Sequence, residues 1–414
     1  MYCEPFKSCY LFGSLRIVSN FKNCVYLING PSGCAFFCRN SVLLLNGYTH
    51  MPYSVNLPRI FTTNLTDKDV VFGSTDRLEE DVLEIDVKYN PDAIFIFNCC
   101  VSEIIGMYIE DLEKKLEKIT KAKIIAVPSA GFKGDHKIGM KVANKKIFEK
   151  VVKRPTMKVP YSVNILGDAD RFGHTTKELR SFLDENNISI ITSIPGDVDM
   201  KSVSESSEAS LNIIVCGTAG YGMAKLYLEE YGVPFVGGQS SVFGINHTFE
   251  LYKAILDHFG KSLDDLEQRR QTAFDNIRRF RTELSDKKAF IIAGARRSFG
   301  YAALLKELGM SVEYIFTESN DCVLREEDAL RMISKQIIYD EWDEELRNRI
   351  RMKRPDLVLS TLPELIIPEK YVSRTLDDFA GFSGAERFAQ YIYDTIILQK
   401  MEEVVFIRAK DDNL

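Results

Sequence analysis

Cysteine residues stand where apolar runs of the chain meet a turn or the start of a helical segment. Cys34 ends a glycine-rich turn with the sequence N-G-P-S-G-C, and the pair Cys99-Cys100 follows the apolar run 93–97. In an α/β protein, ligands collect at such strand ends. Thiolates are soft, negatively charged ligands of iron, so Cys34 and Cys100, with Cys9 upstream, could hold an iron–sulfur cluster. Their spacing alone is a weak signal, because ordinary buried thiols could show it too.

The composition is that of a globular protein without the excess of basic residues that nucleic-acid binding requires. The chain has 414 residues, 45% of them apolar, which is enough for two or three domains. A formal net charge of −6 and a pI near 5.6 provide no basic surface for nucleic acid. No apolar stretch reaches the ~20 residues of a membrane span, and no leader-like segment opens the chain, so we expect a cytoplasmic protein. Nine cysteines in such a chain indicate reduced thiols, some of them metal ligands.

Strand-like apolar runs alternate with helical segments in three successive blocks. This rhythm predicts an α/β fold of three Rossmann-like domains with mostly parallel sheets, over residues 1–155, 156–285 and 286–414. We also expect one helix over residues 102–119 with Ser102 as its N-cap. The apolar runs interpreted as strands are 25–28, 93–97, 123–127, 163–166, 211–216, 289–294, 312–316 and 355–360.

Six segments, in order along nearly the whole chain, resemble motifs of one known family. They are N-G-P-S-G-C ending at Cys34, the segment 62–73 (T-T-N-L-T-D-K-D-V-V-F-G), N-C-C-V at 98–101, A-G-F-K-G at 130–134, I-V-C ending at Cys216 with Y-G-V-P-F at 231–235, and A-G-F-S-G-A at 380–385. The first resembles H-G-P-x-G-C, and the last resembles A-G-Y-x-G-A, of nitrogenase component 1 proteins. The sequence therefore resembles that family, and it resembles the α-type subunits most.

This resemblance implies two metal sites. Cys9, Cys34 and Cys100 match the three α-type cysteines that hold an electron-relay iron–sulfur cluster at a subunit interface, with the neighbouring Cys99 as an alternative. Cys216 matches the cysteine that ligates a larger iron–sulfur cofactor. The alternative interpretation is that Cys216 is a buried thiol at a strand end without a ligand.

The resemblance also implies a charged group in the cofactor pocket and two kinds of partner. Arg296 stands where the family has a pocket arginine, whose guanidinium would offset a negative cofactor; the alternative is a solvated turn. The implied partners are a homologous β-type subunit or a second copy of this chain, and a separate ATP-hydrolysing iron protein. This chain has no G-x-x-x-x-G-K-[ST] loop of its own, and the partial match at Gly260 lacks the preceding glycine.

Two departures from the family pattern bear on activity. The C-terminal histidine that completes cofactor ligation in nitrogenases has no match in the segment 371–379, and Met140 and Lys141 stand where a pocket histidine is expected. His136 could replace the pocket histidine, unless it is a solvated loop residue. Dinitrogen reduction is therefore not expected.

Three functions within the family remain open, together with one outside it. The first is a nitrogenase-like subunit that takes electrons from the iron protein to reduce a substrate or bound cofactor. The second is a scaffold subunit for assembly of the iron–molybdenum cofactor, and the third is a subunit of a tetrapyrrole reductive cyclase. Outside the family, the α/β pattern alone would also suit a sugar- or nucleotide-binding protein with incidental cysteines.

Overall fold

The computed structural model describes residues 8–45, 57–168, 173–196, 198–317, 331–334, 336–339, 344–360 and 379–397. Within these residues the chain forms three four-stranded, all-parallel sheets with helices between the strands. The predicted α/β class with parallel sheets is confirmed. Each sheet falls within one of the three blocks that the sequence suggests.

The first sheet has the strand order β2-β1-β3-β4. Its strands are β1 (Cys24–Asn29), β2 (Arg59–Thr62), β3 (Ala93–Asn98) and β4 (Lys123–Val127). Its helices are α1 (Tyr10–Val18), α2 (Ser32–Leu45), α3 (Asp67–Phe72), α4 (Thr75–Tyr89), α5 (Cys100–Ile104), α6 (Ile109–Leu116) and α7 (His136–Lys150), with a 3₁₀ turn over Gly131–Lys133. The central strands β1 and β3 are buried on both faces, which explains their continuous apolar runs.

The second sheet has the order β6-β5-β7-β8. Its strands are β5 (Ser162–Leu166), β6 (Ser189–Ile194), β7 (Leu211–Ile214) and β8 (Phe235–Gly237). Its helices are α8 (Lys177–Glu185), α9 (Met200–Glu205), α10 (Gly217–Tyr231), α11 (Ile245–Phe259) and α12 (Leu266–Leu284), with a 3₁₀ turn over Ser206–Glu208.

The third sheet has the order β11-β10-β9-β12. Its strands are β9 (Lys288–Ile292), β10 (Ser311–Thr317), β11 (Ile337–Tyr339) and β12 (Leu357–Ser360). Its helices are α13 (Ala295–Glu307), α14 (Glu344–Lys353) and α15 (Gly381–Ile396). None of the helices within the described residues is long and apolar enough to cross a membrane.

Each sheet has a point where the chain reverses the direction in which it adds strands. The reversal lies between β1 and β3, between β5 and β7, and between β9 and β12. In parallel α/β sheets, ligands bind in the crevice beyond the carboxyl ends of the strands at such points. The turn leading to Cys34 follows β1 and Cys99-Cys100 follows β3, while Cys216 follows β7 and Arg296 follows β9.

The segment 102–119 differs from its prediction as one helix. Helix α5 begins at Cys100, with Cys99 as the N-cap residue, and the chain breaks at Gly106 before α6. Gly106 has φ +78°, a left-handed conformation that glycine adopts at little cost. Ser102 lies inside α5, and its hydroxyl donates to the carbonyl of Asn29 at 2.7 Å instead of capping the helix.

Helices α1 and α7 pack so closely that glycine is required between them. A Cβ at Gly13 would lie 1.9 Å from the carbonyl oxygen of His136, and one at Gly139 would lie 2.1 Å from that of Tyr10. The Ser14 hydroxyl donates to the Gly139 carbonyl at 3.1 Å. This contact places the beginning of α1, and thus Cys9, beside the beginning of α7.

Two carboxylates, the partly buried Glu178 and the buried Glu307, connect the second and third sheets by capping helices across the boundary. Glu178 of α8 accepts from the backbone amides of Phe382 at 2.6 Å and Ser383 at 3.1 Å, at the start of α15. Glu307 of α13 accepts from the amides of Ile245 and Asn246, both at 2.8 Å, at the start of α11. Each carboxylate satisfies amides that have no partner within their own helix.

Burial raises the pKa of Glu307 to about 7, above the ordinary value of 4.5, despite its three hydrogen bonds to Ile245 and Asn246. Between these two values the folded state keeps a proton that the unfolded chain releases, so the free energy of unfolding falls as the pH rises. We expect the wild type to lose roughly 3 kcal/mol relative to Glu307→Gln between pH 4.5 and 8. Urea unfolding of both proteins across this range measures the difference. The exposed Glu250, changed to Gln, is the control, and equal pH slopes for wild type and Glu307→Gln would contradict the prediction.

Candidate functional site

Four thiols lie at the starts of three helices beyond the carboxyl ends of β1 and β3. Cys9 is the N-cap residue of α1, Cys34 lies in the first turn of α2, and Cys99 and Cys100 are the N-cap and first residues of α5. The amino end of a helix carries a partial positive charge, which favours thiolates and other anions. The structure therefore brings together all four cysteines predicted for the cluster.

Cys9 and Cys100 both lie beside Gly131 and form one pair. A Cβ at Gly131 would lie 3.0 Å from the Cys9 sulfur and 3.1 Å from the Cys100 sulfur. Both thiols are partly accessible. The segment carrying Cys9 is held by a β-bridge to Asp135 and by the amide of His136, which donates to the Ser8 carbonyl at 2.8 Å.

Cys34 and Cys99 form a second pair. The proximity of the two thiols lowers the pKa of Cys99 and raises that of Cys34. Cys99 is only 2% exposed, because its side chain fills the space beside Gly30, where a Cβ would lie 2.4 Å from the sulfur. Cys34 is half-buried, so Cys99 is the inner member of the pair.

Amide side chains fix the ends of β1 and β3 beneath these thiols. The Asn29 amide donates to Asn98 Oδ1 at 2.9 Å, and the Asn98 amide donates to the carbonyl of Met107 at 2.6 Å. Ser129 donates to the Asn98 carbonyl at 2.7 Å. All three polar residues are buried, and their hydrogen bonds hold the two cysteine-bearing turns in fixed register.

Sequence reasoning missed part of this site. The sequence shows Gly131 only as part of the A-G-F-K-G motif, and nothing in that motif indicates that two sulfurs lie beside it. Cys38 was not among the predicted site residues; it is 1% exposed, and its sulfur is an electrostatic neighbour of Cys9 and Cys99. The signal for Cys38 was its position one helical turn after Cys34.

The thiols at these helix starts have the donor chemistry of an iron–sulfur cluster. No three His, Cys, Asp or Glu side chains within the described residues converge on a single-ion site. Two neighbouring thiol pairs at helix starts instead match the donor chemistry of an iron–sulfur cluster, in which thiolates bind separate irons. The residues present fit such a group.

We expect Gly131→Ala to disturb both members of the Cys9–Cys100 pair. The added methyl group would lie 3.0–3.1 Å from both sulfurs, closer than carbon and sulfur normally approach. Iron retained by the oxygen-free protein should fall by more than about half, as expected when ligands lose their geometry. Gly222→Ala is the matched control, since a Cβ there meets no atom within 4 Å. Full iron retention in Gly131→Ala would show that the pair is not part of a metal site.

Cys216 lies at the equivalent point of the second sheet. It is the N-cap residue of α10 and is buried. Gly167, at the end of β5, approaches it so closely that a Cβ would lie 2.5 Å from the Cys216 carbonyl oxygen. Helix α7 connects the two thiol sites, because it begins near Cys9 and its Asn144 donates to the carbonyl of Ala219 in α10 at 2.7 Å.

Neither His136 nor Arg296 is a fully solvated residue in the structure. His136 is buried as the first residue of α7, where Asp135 caps the helix by accepting from the amides of Lys137 and Ile138. Arg296 is half-buried in the first turn of α13, with its guanidinium 5.1 Å above the ring of Phe243. The expectation of a solvated loop or turn is wrong for both residues.

The loop after β8 makes contacts near both Cys216 and Arg296. Gln239 donates to the Thr218 hydroxyl at 2.9 Å, and Ser241 donates to the Ile214 carbonyl at 2.7 Å, on either side of Cys216. The same loop continues to Phe243 under Arg296. A cavity of about 300 Å³ lies between this loop and α11, but its walls include none of the predicted site residues.

The chain belongs to the family of nitrogenase component 1 type oxidoreductases, whose sequence profile matches residues 9–397. It is 24% identical over 408 residues to the nitrogenase iron-molybdenum cofactor biosynthesis protein NifE of Methanococcus maripaludis, covering 94% of this chain and 83% of that protein. It is 25% identical to the nitrogenase molybdenum-iron protein alpha chain of Methanothermobacter thermautotrophicus, covering 95% and 88%. The fold matches that of nitrogenase Cp1 with a TM-score of 0.79, at 19% identity and coverage of 95% and 88%.

Proposed function

We propose that this chain is a nitrogenase-like component 1 subunit that binds an interface iron–sulfur cluster. Cys9, Cys34 and Cys100 are its ligands in this chain. The observation that carries the proposal is that these three half-buried thiols lie at three helix starts beside one strand reversal point. When bound, the cluster supplies one-electron transfer at low potential. We prefer Cys100 to its neighbour Cys99 as the third ligand, because its thiol is partly accessible and lies, like that of Cys9, beside Gly131.

A larger iron–sulfur cofactor, or a substrate in its place, is assigned to Cys216. The thiol stands at the amino end of α10, where the first backbone amides of the helix have no partner inside it and favour an anionic ligand. We assign Arg296 to the same pocket, whereas His136, which the sequence also suggested for it, lies at the start of α7 beside Cys9. The guanidinium of Arg296 would balance negative charge on a sulfide-rich ligand, and stacking on Phe243 restricts its orientation.

Exposed apolar side chains around the first site support a protein partner there. Phe36 in α2 and Ile104 in α5 are each 72% exposed, and Phe132 lies next to Gly131 in the 3₁₀ turn. Large apolar side chains grouped on one surface mark an interface. A homologous β-type subunit or a second copy of this chain would cover them and the thiols together.

Electrons would come from a separate ATP-hydrolysing iron protein that docks on the same side of the first sheet. Helix α3 presents Phe72, which is 85% exposed, and the chain entering α3 is anchored to the cysteine turn by the amide of Leu65, which donates to the Gly30 carbonyl at 3.2 Å. The partial phosphate-loop match at Gly260 does not form a phosphate loop in the structure. Gly260 ends α11 in a left-handed conformation, whereas a phosphate loop must precede a helix.

A scaffold role in iron–molybdenum cofactor assembly is the second candidate. It is supported by the similarity to the NifE protein and by the missing C-terminal histidine of the ligand set. The segment 371–378, where that histidine would stand, lies outside the described residues. In this role the cluster at Cys9, Cys34 and Cys100 would serve the same electron relay, and the group at Cys216 would be a precursor in transit.

Electron supply is tested by following cluster reduction with the iron protein and ATP in the absence of oxygen. We expect the wild type to develop the paramagnetic resonance signal of a reduced cluster, and Phe72→Asp to slow this by about tenfold or more, because a charge enters a desolvated contact. Val87→Asp is the matched control, since Val87 in α4 is also 85% exposed. Absence of the cluster signal in the wild type would contradict the proposed function. Equal rates of cluster reduction in Phe72→Asp and Val87→Asp would contradict the proposed docking face.

A further inference from the structure

Helix α13 contacts the segment between β8 and α11 near both of its ends. At the start of the helix, the guanidinium of Arg296 lies 5.1 Å above the ring of Phe243. At its end, Glu307 accepts from the backbone amides of Ile245 and Asn246, both at 2.8 Å. Building on the proposed function, we propose that Glu307 is a positioning residue for Arg296, which acts through Phe243 and thereby strengthens the hold on the anionic group of the proposed cofactor pocket.

The connection between Glu307 and Phe243 is short and closely packed. Gly244 alone separates Phe243 from the first residue of α11. A Cβ on Gly244 would lie 3.2 Å from the Cβ of Ala303 and 3.3 Å from both carboxylate oxygens of Glu307. Because the backbone lies directly against α13 here, a shift of the start of α11 moves Phe243 as well.

Phe243 is also held by contacts outside α13. It is fully buried and forms a β-bridge with Ala380. The amide of Gly381, at the start of α15, donates to the carbonyl of Val242 at 2.8 Å. A ring held in this way offers the guanidinium of Arg296 a face in a fixed position.

The other end of the same loop lies beside the buried thiol of the second sheet. Gln239 donates to the hydroxyl of Thr218 in the first turn of α10, and Ser241 donates to the carbonyl of Ile214. These contacts lie on either side of Cys216 in the sequence. One loop therefore fixes the guanidinium relative to the thiol, and small displacements of groups that act together on a ligand are costly.

The carboxylate of Glu307 holds the start of α11 through a network of hydrogen bonds. Besides the two backbone amides, it accepts from the side-chain amide of Asn246 at 3.2 Å. Arg270 of α12 donates in turn to the side-chain oxygen of Asn246 at 2.9 Å. Removing the carboxylate would release three hydrogen bonds together, so Glu307→Ala is expected to loosen the start of α11.

Asp86 provides a matched control in the first sheet. Its buried carboxylate in α4 accepts from the backbone amides of Lys121 and Ala122 at 3.0 and 2.8 Å. These amides precede β4, at the opposite end of the first sheet from the cysteine turns. Asp86→Ala therefore removes a similar pair of hydrogen bonds without disturbing either proposed metal site.

The first measurement does not depend on a bound group. Phenylglyoxal modifies arginine side chains, and peptide mass spectrometry gives its rate at Arg296 in the full chain, purified without oxygen, with and without its iron. We expect Glu307→Ala to raise this rate about threefold or more, because a stacked guanidinium is released. Glu307→Gln, which keeps an accepting oxygen, and Asp86→Ala should stay near the wild-type rate.

The second measurement is the rate at which a ferrous chelator removes the iron that depends on Cys216. Glu307→Ala should speed this release by about tenfold, the lower end of the effect of a supporting residue. In an Arg296→Ala background the same substitution should add nothing, because the group that Glu307 positions is gone. A merely structural role would speed release equally in both backgrounds, and that result would overturn the proposal.

The outcomes separate this inference from the proposed function. A wild-type rate of Arg296 modification in Glu307→Ala would refute the positioning role, even where the iron site is confirmed. If the wild type holds no iron that depends on Cys216, the proposed cofactor site fails, and the modification rate still decides whether Glu307 positions the guanidinium. Circular dichroism verifies folding. Where Glu307→Ala does not fold, Glu307→Asp replaces it, because aspartate keeps the charge but withdraws the carboxylate from the amides by ~1.5 Å.

Discussion

Replacing Cys34 with alanine is expected to abolish the interface cluster and, with it, ATP-dependent electron transfer. Cys34 lies in the first turn of α2, where its thiol is in contact with Cys99 and is an electrostatic neighbour of Cys9. Loss of a ligand removes more than the 10–100-fold in metal affinity that loss of a supporting residue costs. We therefore expect the cluster signal to disappear and turnover to fall by more than about 100-fold.

The matched control for this substitution is Cys38→Ala. Cys38 lies one turn further along α2 and is fully buried, so its replacement costs packing, roughly 1 kcal/mol, without removing a proposed ligand. Iron, sulfide and paramagnetic resonance are measured on both proteins after oxygen-free purification. Full iron content and activity in Cys34→Ala would refute the cluster site. Loss of iron in Cys38→Ala would add Cys38 to the ligand set.

The strands were predictable because parallel strands buried on both faces need continuous apolar sequence. The runs 93–97 and 123–127 are β3 and β4 to within one residue. The position of Cys216 was equally predictable, because a strand end followed by small residues commonly starts a helix at a ligand site. The segment 211–216, taken as one strand, actually ends at Ile214, and Cys216 caps α10.

Contacts between residues distant in sequence could not be predicted. The burial of His136 follows from the approach of α1 to α7, which depends on Gly13 and Gly139 more than 100 residues apart. The helix caps by Glu178 and Glu307 likewise join residues far apart in the chain. A glutamate in a helix is normally solvated, so neither position carried a local signal.

The distinction between Cys99 and Cys100 also depended on the structure. Adjacent residues point in different directions where a strand becomes a helix, and only the packing against Gly30 and Gly131 determines which thiol faces which neighbour. The sequence placed a thiol pair at the strand end. The structure divides the pair between two sulfur neighbours, Cys34 and Cys9.

Replacing Cys216 with alanine is expected to remove part of the iron and leave the cluster at Cys9, Cys34 and Cys100 in place. The two sites follow different sheets and have different helix starts, so loss of one thiol does not remove ligands from the other. The cluster signal should persist at its wild-type intensity while total iron falls. If the group at Cys216 is larger than the interface cluster, Cys216→Ala should lose more than half of the total iron.

Val215→Ala is the control for this second substitution. Val215 is the residue before Cys216 and is also buried, but in the neighbouring core that joins the second and third sheets. Its replacement therefore creates a cavity next to the site without removing a thiol. Partial iron loss confined to Cys216→Ala would support a cofactor-bearing reductase or an assembly scaffold. The reductase and the scaffold then differ in the fate of the group bound at Cys216. In a scaffold this group is transferred to a nitrogenase-type acceptor protein, whereas in a reductase it remains bound through turnover. Iron sufficient only for the first site in the wild type, and unchanged in Cys216→Ala, would instead favour a tetrapyrrole-type reductase, whose substrate needs no cysteine ligand at this position.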